Sequence, residues 1–421
     1  MTQAAGRGDF DDDPDRQPVR VDRACFRLNP DTIDMHHHLG PASFIAAVLA
    51  TSVSAEVITV CASGCQHTSI NAAIRDAESG DVIQLAAEIY REGSVIDPTG
   101  KSITIRGVVD EDGDPASILD GGRTHRVLQC VSSESEATIF ENLLIRGGRA
   151  TNGAGMLNRT SSPTLIGCVL AENVGVGRGG GIYNRQASSP TLVRVRFVGN
   201  RASSGGGMYN FEGSSPSLVD CVFDRNVGPL VGGGMTNWTE CSPTLTRCRF
   251  IRNRSDESPG GGGGAMYNIY RSNPLLTDCR FAGNVATNAG AIYTIGGTLI
   301  MTDCRFEENA AGTCGGVQTL EAEVVATRCT FSKNSSQEPG AAFLTEDGSL
   351  VLTDCGFDGN VPTAIAMNIE ATLQITNQTI LNGDLDRDGD FDEADVRLAM
   401  AKFGLEAVTS EPDSVTDQDG P

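Results

Sequence analysis

Basic residues are scarce in this sequence: 32 Lys and Arg stand against 54 Asp and Glu, and the formal net charge is −22 at pH 7. A chain with this balance repels nucleic acid and anionic polymers, so we exclude both as general partners. Long apolar runs are also missing, because the best one, from Phe44 to Ala50, is far shorter than the ~20 residues of a membrane-spanning helix. Helical periodicity is missing from the central part of the chain, where no unit is suited to hold a helix.

What the sequence does have is a repeat. An apolar-x-x-Asn motif, with Phe in seven copies and Leu170 in the first, recurs eight times at intervals of 25 to 31 residues. The repeated residues are Asn173, Asn200, Asn226, Asn253, Asn284, Asn309, Asn334 and Asn360. A unit of about 26 residues holds three short strands and buries its apolar face only by stacking on its neighbours. The repeat therefore predicts an all-β, right-handed parallel β-helix solenoid with coils about 4.8 Å apart.

Alignment of the units predicts columns of identical side chains. The repeated Asn is expected at a turn, bonded to main-chain groups of neighbouring coils, because an unpaired buried amide is costly. Three further columns are expected to face the core. They consist of Met156, Ile182, Met208, Met235, Met266, Ile292, Val317, Phe343 and Met367; of Cys168, Cys221, Cys248, Cys279, Cys304, Cys329 and Cys355 with Val195; and of Phe197, Phe223, Phe250, Phe281, Phe306, Phe331 and Phe357.

The glycine run with Ile182 and the Phe-x-x-Asn motif, found together in residues 179–200, resemble a known repeat. They are similar to the repeats of chlamydial-type polymorphic outer membrane proteins, which carry Gly-Gly-Ala-Ile and Phe-x-x-Asn. The resemblance covers residues 147–360 and implies a β-helix of the pectin-lyase type, used at cell surfaces or in secretion.

Residues 56–146 are expected to form an N-terminal cap and the first, less regular coils, and residues 147–380 the repeat β-helix. Ile70, Ala73, Ile74 and Ala77 have helical spacing, with Thr68 or Ser69 as the N-cap, so one short helix is predicted to cover the end of the core. Together these residues make about 12 coils and a rod on the order of 60 Å long.

The N-terminal segment predicts export. Residues 1–34 are polar and acidic and are predicted to be disordered. Residues 35–55 are interpreted as a signal peptide, because an apolar stretch is followed by Val53, Ser54 and Ala55, the small residues of a cleavage site before Glu56. An ordinary apolar segment is the alternative. The mature chain is thus expected to be secreted or at the cell surface, without a transmembrane span.

Cysteine usage agrees with this interpretation. Cleavage before Glu56 would remove Cys25 and leave 12 of the 13 cysteines, seven of them in the buried column. Cys61 and Cys65 are close enough in sequence to pair in an oxidising compartment. The stacked column is expected to stay as thiols, because parallel stacking points its side chains in the same direction.

A calcium loop is predicted near the C-terminus. Carboxylates occupy loop positions 1, 3, 5, 7, 9 and 12, and Gly389 takes position 6, where an EF-hand-like loop turns sharply. The predicted ligands are Asp384, Asp386, Asp388, Asp390, Asp392 and Asp395. A helix with an apolar face is expected to follow from Val396.

The loop and helix, residues 381–404, resemble a dockerin repeat, which begins with Gly-Asp and has Asp at loop position 12. The resemblance implies calcium as cofactor, Asp384, Asp386, Asp388, Asp390 and Asp395 as ligands, and a cohesin-like protein as partner. Dockerins have two loops, whereas here only a fragment at 417–420 follows within the tail, residues 405–421, which is predicted to be disordered.

Two outward-facing columns are candidates for function. Asp and Arg alternate beside the cysteines (Asp220, Asp278, Asp303 and Asp354; Arg196, Arg249, Arg280 and Arg305). A charge ladder between coils explains them better than acid–base catalysis. In the second column, tyrosines follow the apolar column by one residue, and Trp238 stands two residues past Thr236 in the coil that lacks Tyr. These residues are expected to face solvent as a glycan platform: Tyr183, Tyr209, Trp238, Tyr267 and Tyr293. An aromatic ladder without a ligand is the alternative.

The sequence therefore favours an exported, non-catalytic β-helix protein associated with carbohydrate or cell-wall polymer, with a calcium-dependent C-terminal module. A polysaccharide lyase or glycoside hydrolase on the same scaffold is the first alternative. A purely structural spacer is the second.

Overall fold

The computed structural model describes residues 55–257, 260–367, 371–376 and 380–381. The predicted acidic leader, the predicted signal peptide up to residue 54, the calcium loop and the tail lie outside these ranges. The described chain winds into a solenoid whose successive coils pair through short parallel strands.

Each complete coil contributes one strand to each of three stacks, which follow one another along the chain. The first stack contains Leu128–Cys130, Met156–Arg159, Ile182–Arg185, Met208–Phe211, Met235–Trp238, Met266–Ile269, Phe343–Glu346 and Ile365–Met367. The second stack contains Val57–Val60, Val82–Leu85, Thr104–Arg106, Ile139–Glu141, Thr164–Ile166, Thr191–Val193, Ser217–Val219, Thr244–Thr246, Leu275–Thr277, Ser349–Thr353 and Thr372–Thr376. Two long strands, Ile292–Thr302 and Val317–Thr327, run through both stacks and join them into one sheet.

The third stack contains Ile89–Tyr90, Ser117–Asp120, Leu143–Arg146, Val169–Ala171, Arg196–Val198, Val222–Asp224, Arg249–Ile251, Arg280–Ala282, Arg305–Glu307, Thr330–Ser332, Gly356–Asp358 and Ile380–Leu381. The 12 strands of this stack in the described part of the chain confirm a solenoid of about 12 coils. Short strands at the turn that closes the coil are Arg149–Ala150, Val174–Gly175, Arg254–Ser255, Val285–Ala286 and Ala310–Ala311.

A single helix of seven residues, Ile70–Asp76, lies between the first two strands of the second stack. The Ser69 side chain accepts a hydrogen bond from the Ala72 amide and so acts as the N-cap. Ile70 and Ile74 are buried in the core. The helix forms where its spacing predicted, and its role in closing the end of the core stays a prediction. No described helix is long and apolar enough to cross a membrane.

The predicted core columns are present. Six pairs of Phe rings from neighbouring coils stack between Phe197 and Phe357, with centroids 4.4 to 5.0 Å apart and interplanar angles of at most 10°. The apolar column needs one correction, because Phe343 pairs in register with Ile365 and not with Met367. Met367 pairs with Thr345, two residues further along, and side chains two apart on a strand share a face.

The repeated Asn residues bond to main-chain groups of neighbouring coils, as predicted, and they also bond to one another in a continuous ladder, which was not predicted. The Asn253 Nδ2 donates to the Phe223 carbonyl at 2.9 Å and to the Asn284 Oδ1 at 3.0 Å. The Asn253 Oδ1 accepts from the backbone N and the Nδ2 of Asn226, both at 3.0 Å. Each amide therefore satisfies groups on both neighbouring coils, which is why a polar side chain is stable inside the solenoid.

The cysteines behave as expected. The Cys61 and Cys65 Sγ atoms form a disulfide. The predicted cysteine column is buried, and burial raises the pKa of the Cys168 thiol to about 12. The Cys168 thiol is therefore chemically inert at neutral pH. Burial of the whole column among apolar side chains indicates a packing role.

Candidate functional site

The predicted tyrosine platform is on the outer side of the first stack, but most of it is covered. Tyr183, Tyr209 and Tyr267 are only 2, 1 and 7% exposed, so the prediction that they face solvent is wrong. Glycine-rich turns pass against these tyrosines: a Cβ on Gly205 would lie 2.9 Å from the Tyr209 Cβ, and a Cβ on Gly262 would lie 3.1 Å from the Tyr267 Cδ2. The Arg178 guanidinium also lies over Tyr209, 5.5 Å from the ring centroid.

This covering changes the chemistry of the tyrosines. Burial is the largest influence on the Tyr209 hydroxyl and raises its pKa far above the ordinary value. The same cause raises the pKa of Tyr183 and of Tyr267. The Tyr column is therefore mainly an aromatic ladder that holds the turns against the sheet, with Tyr183 and Tyr209 edge to face at 5.6 Å.

The accessible aromatic surface lies beside this ladder. Trp238 is half-buried and stands in the next outward column, opposite Phe211 of the preceding coil. Tyr270 follows the next strand of the stack and is 57% exposed. Its ring meets the Trp238 ring edge to face, with centroids 5.4 Å apart. We call Phe211, Trp238 and Tyr270 the aromatic patch.

Polar groups border the aromatic patch. Arg271 pairs with Glu240 at 2.9 Å, and both side chains are largely exposed. Arg178 covers the Phe211 ring, 5.2 Å from its centroid. Flat apolar rings beside hydrogen-bonding side chains form a surface that can hold a sugar ring, whose faces are apolar and whose edges carry hydroxyls.

The Asp column occupies the corners between the second and third stacks, whereas each member of the predicted Arg column is the first residue of a third-stack strand. Asp220 and Asp303 have φ of 56° in these corners. The Asp220 carboxylate binds Arg247 through two hydrogen bonds of 2.7 and 3.0 Å, and Asp303 binds Arg328 at 2.7 and 2.9 Å. A charge ladder between coils is thus confirmed for these carboxylates, although their partners belong to the same corner column and not to the predicted Arg column.

Members of the predicted Arg column have different partners. Arg280 binds the Glu307 carboxylate of the next coil with its Nε and Nη2, at 2.9 and 2.6 Å. Arg196 pairs with Asp114, which belongs to the turn at 110–114. These ion pairs are exposed and contribute little to stability, but they account for these members of the charged columns without catalysis.

A charged cleft in the earlier coils was not predicted. It has a volume of about 300 Å³ and is lined by Asp120, Gly122, Arg123, Arg146, Gly147 and Glu172. These residues come from three successive coils. A Cβ on Gly147 would lie 2.8 Å from the Asp120 Oδ1, so glycine at this position leaves room for the carboxylate.

Asp120 is the most enclosed charged group of the cleft, with a side chain 11% exposed. Its Oδ2 lies 3.1 Å from the Arg91 Nη2 and 3.4 Å from the Arg146 Nη2, and its Oδ1 accepts from the Gly122 amide at 2.9 Å. Burial acts to raise the pKa of Asp120, but the Gly122 amide and the two guanidiniums outweigh it and hold this pKa below its ordinary value. Asp120 is therefore ionised and can accept hydrogen bonds or a proton, but it does not supply one.

The predicted calcium ligands, Asp384 to Asp395, lie outside the described residues. Within the described ranges, no three His, Cys, Asp or Glu side chains come close enough to hold a metal ion. The acidic turn at 110–114 is held by its own backbone, since the Asp110 Oδ1 accepts from the amides of Asp112 and Asp114 at 3.0 and 2.9 Å.

A second buried amide ladder was also missed. It links Asn158, Asn184, Asn210, Asn237 and Asn268 through Nδ2-to-Oδ1 hydrogen bonds of 2.7 to 2.8 Å and ends on the Thr294 hydroxyl. The signal was present, since in five units an Asn stands two residues after a member of the apolar column, on the same face of the strand. This ladder occupies the inner side of the strands that carry the aromatic patch.

Comparison with protein-family models agrees with the architecture. A family model described as "Right handed beta helix region" matches residues 241–380. A pectin methylesterase from Aspergillus niger aligns over 82% of this chain and 95% of its own length, with 10% identity and a TM-score of 0.19. No curated protein matches the sequence.

Proposed function

We propose that this is a secreted or cell-surface β-helix protein that binds carbohydrate or cell-wall polymer without cleaving it, through the aromatic patch. The observation that supports the proposal is the edge-to-face contact of half-buried Trp238 with exposed Tyr270. Tyr183, Tyr209 and Tyr267 are buried beside these rings, so the exposed rings stand on a rigid base. Rigid, pre-placed rings bind a ligand with little loss of conformational entropy.

The chemistry of the aromatic patch favours a neutral glycan. Apolar ring faces contact the C–H faces of sugars, and Glu240 and Arg271 lie at the border as hydrogen-bonding groups. The net charge of −22 opposes a polyanionic ligand.

Binding assays with neutral and acidic polysaccharides test the proposal. We expect wild type to bind a neutral polysaccharide, and Trp238→Ala and Tyr270→Ala to bind it about tenfold more weakly. Ile295→Ala is the matched control, because Ile295 stands in the same outward column as Trp238, two coils further on. Equal affinity of wild type and both patch variants would contradict the proposal, and absence of binding to the whole panel would favour the structural spacer.

We also propose that the C-terminal segment binds calcium through the six predicted Asp ligands and docks onto a cohesin-like protein. The support is the ligand register in the sequence, since oxygen donors at EF-hand spacing suit Ca²⁺. Calorimetric titration of wild type should show calcium binding that is lost in the Asp384→Ala/Asp395→Ala double variant, while chelator leaves the β-sheet circular dichroism unchanged. Equal calcium uptake by the two proteins would reject these ligands.

The charged cleft favours a second candidate function, a polysaccharide lyase or glycoside hydrolase. Asp120 would act as base or electrostatic support, and Glu172 would be the carboxyl group available as acid. This candidate requires that wild type release soluble sugars from one polysaccharide of the panel and that Asp120→Asn and Glu172→Gln abolish the release. Binding without release by wild type would leave the non-catalytic function.

A further inference from the structure

The backbone that enters the first strand is held by a buried carboxylate. The Glu56 amide nitrogen donates to the Asp81 Oδ1 at 2.9 Å, and the Glu78 amide donates to the Oδ2 at 2.8 Å. The Glu56 carbonyl accepts from the Val82 amide at 2.8 Å. Asp81 is only 5% exposed, whereas Glu56 lies at the surface.

Glu56 is also the residue that follows the small side chains Val53, Ser54 and Ala55. We propose that Asp81 is a binding site for the α-amino group formed when the peptide bond between Ala55 and Glu56 is hydrolysed. A peptidase of the signal-peptidase class would add one water molecule across this bond. The products are a carboxylate on Ala55 and an ammonium group on Glu56, with no change of oxidation state.

The geometry gives the new ammonium group a partner without rearrangement. In the uncleaved chain the Glu56 nitrogen offers Asp81 one neutral N–H. After cleavage the same atom carries a positive charge and three N–H donors, and charge-assisted hydrogen bonds are roughly twice as strong as neutral ones. The Glu56 and Glu78 amides already lower the pKa of Asp81, with the Glu56 amide the larger influence, so the receiving group is ionised.

The other charged side chains near Asp81 leave its carboxylate available to bind the ammonium group. The Lys101 Nζ is bound to the carbonyls of Ile74 and Ala77, at 2.6 and 2.7 Å, at the end of the helix. The Glu78 side chain is exposed. The Glu56 side chain is exposed too and lies 3.5 Å from the Gln66 Nε2. The ammonium group would therefore be the closest cation to the Asp81 carboxylate.

Processing would then stabilise the first coil in a pH-dependent way. A free α-amino group has a pKa of about 7.7–8.0. A carboxylate in contact raises this pKa in the folded protein, by about one unit or more. The added stability is fully present below the unfolded value and is lost as the pH rises through the raised folded value.

The experiment uses the processed protein recovered from outside the cell. Mass spectrometry of its N-terminal peptide should identify Glu56 as the first residue. The α-amine pKa, measured from the pH dependence of its acylation rate, should exceed the ordinary range by about one unit. It should return to that range in Asp81→Asn and stay raised in Glu78→Gln, which removes a nearby exposed carboxylate and serves as control.

A different N-terminal residue, or equal α-amine pKa values in wild type and Asp81→Asn, would overturn the proposal. If Asp81→Asn does not fold, acetylation of the α-amine in the wild-type protein gives the same test. The acetylated protein should unfold at a lower temperature than the free amine at pH 7, and the difference should vanish near pH 10. Equal unfolding temperatures at pH 7 would overturn the proposal and leave the carbohydrate-binding proposal untouched.

Discussion

The opening coils, residues 57–146, and the repeat coils, residues 147–360, are held to their neighbouring coils by different kinds of hydrogen bond. In the repeat coils, identical side chains bond to their counterparts one coil away, as Asn226 does to Asn253. In the opening coils, single residues that are not repeated make the hydrogen bonds between coils. The buried Glu134 carboxylate accepts from the Gly100 amide and the Ser161 hydroxyl, both at 2.8 Å. The Tyr90 hydroxyl likewise donates to the Val60 carbonyl at 2.8 Å.

This difference explains where unusual chemistry occurs. A residue in the middle of a repeated column is constrained by identical neighbours above and below. The charged cleft around Asp120 lies where the outward column of the third stack changes from Asp120 to Arg146 to Ala171. The aromatic patch likewise forms where Thr236 replaces Tyr in its column and Trp238 stands beside it.

The largest effect is expected from a charge in the middle of the Phe column. Phe250→Asp places a carboxylate between the Phe223 and Phe281 rings, where it has no partner. We expect the free energy of unfolding to fall by about 4 kcal/mol or more. Thermal unfolding followed by circular dichroism measures this, with Phe250→Leu as the control. Unfolding like that of wild type would show that the residue does not face the core.

The next effect concerns the Asn ladder. Asn253→Ala removes four side-chain hydrogen bonds and leaves the Phe223 carbonyl and the Asn226 amide unsatisfied. The expected loss of stability is about 3 kcal/mol. Asn288→Ala is a suitable control, because its amide makes a single exposed contact of 3.4 Å with the Gly260 carbonyl. Similar unfolding free energies for the two variants would contradict the structural importance of the ladder.

In the opening coils we expect a smaller loss of stability, and we expect it from a change at one residue that has no copy in neighbouring coils. Glu134→Gln keeps the shape of the side chain and removes the charge that strengthens three hydrogen bonds, to the Gly100 and Ser132 amides and the Ser161 hydroxyl. We expect a loss of about 2 kcal/mol in chemical denaturation. Glu136→Gln, at an exposed position two residues away, should unfold like wild type. A Glu134 variant of undiminished stability would show that the network is dispensable.

The smallest effect is expected at the exposed charge ladder. Hydrogen bonds from Arg247 are the main cause that lowers the pKa of Asp220. A lowered folded pKa adds stability above the unfolded value of about 3.9, and this stability is lost as the pH falls through the folded value. Asp220→Asn should therefore unfold slightly more easily than wild type at pH 7, with the difference vanishing in strong acid and in about 1 M salt. A difference that persists in acid would assign another role to Asp220.

Sequence spacing was sufficient to predict the solenoid, because each repeated side chain contacts the equivalent side chain of the next coil. The Asn and Phe columns follow directly from residues about 26 positions apart, and the structure places them as expected. The helix at Ile70–Asp76 was predictable from local spacing and its Ser69 cap.

The candidate sites were harder to predict because they depend on contacts between different columns. Strand alternation correctly turns Tyr209 away from the core, but it gives no information about the Arg178 guanidinium that lies over the ring. The charged cleft joins Asp120, Arg146 and Glu172 from three coils with no common motif. Only the three-dimensional register brings them together.

The Asn ladder has a consequence for how such a chain changes length during evolution. Each 26-residue unit brings one amide that donates forward to the next coil and accepts from the previous one, as Asn284 does between Asn253 and Asn309. Duplication of a whole unit would insert one link and leave the two ends of the ladder unchanged. Duplication of part of a unit would interrupt the ladder and leave buried polar groups without hydrogen-bond partners on both sides of the break. The solenoid can therefore gain or lose whole coils, and it accepts extra residues in a turn, as in the 31-residue interval from Asn253 to Asn284, but an insertion that displaced an Asn from the ladder would be costly.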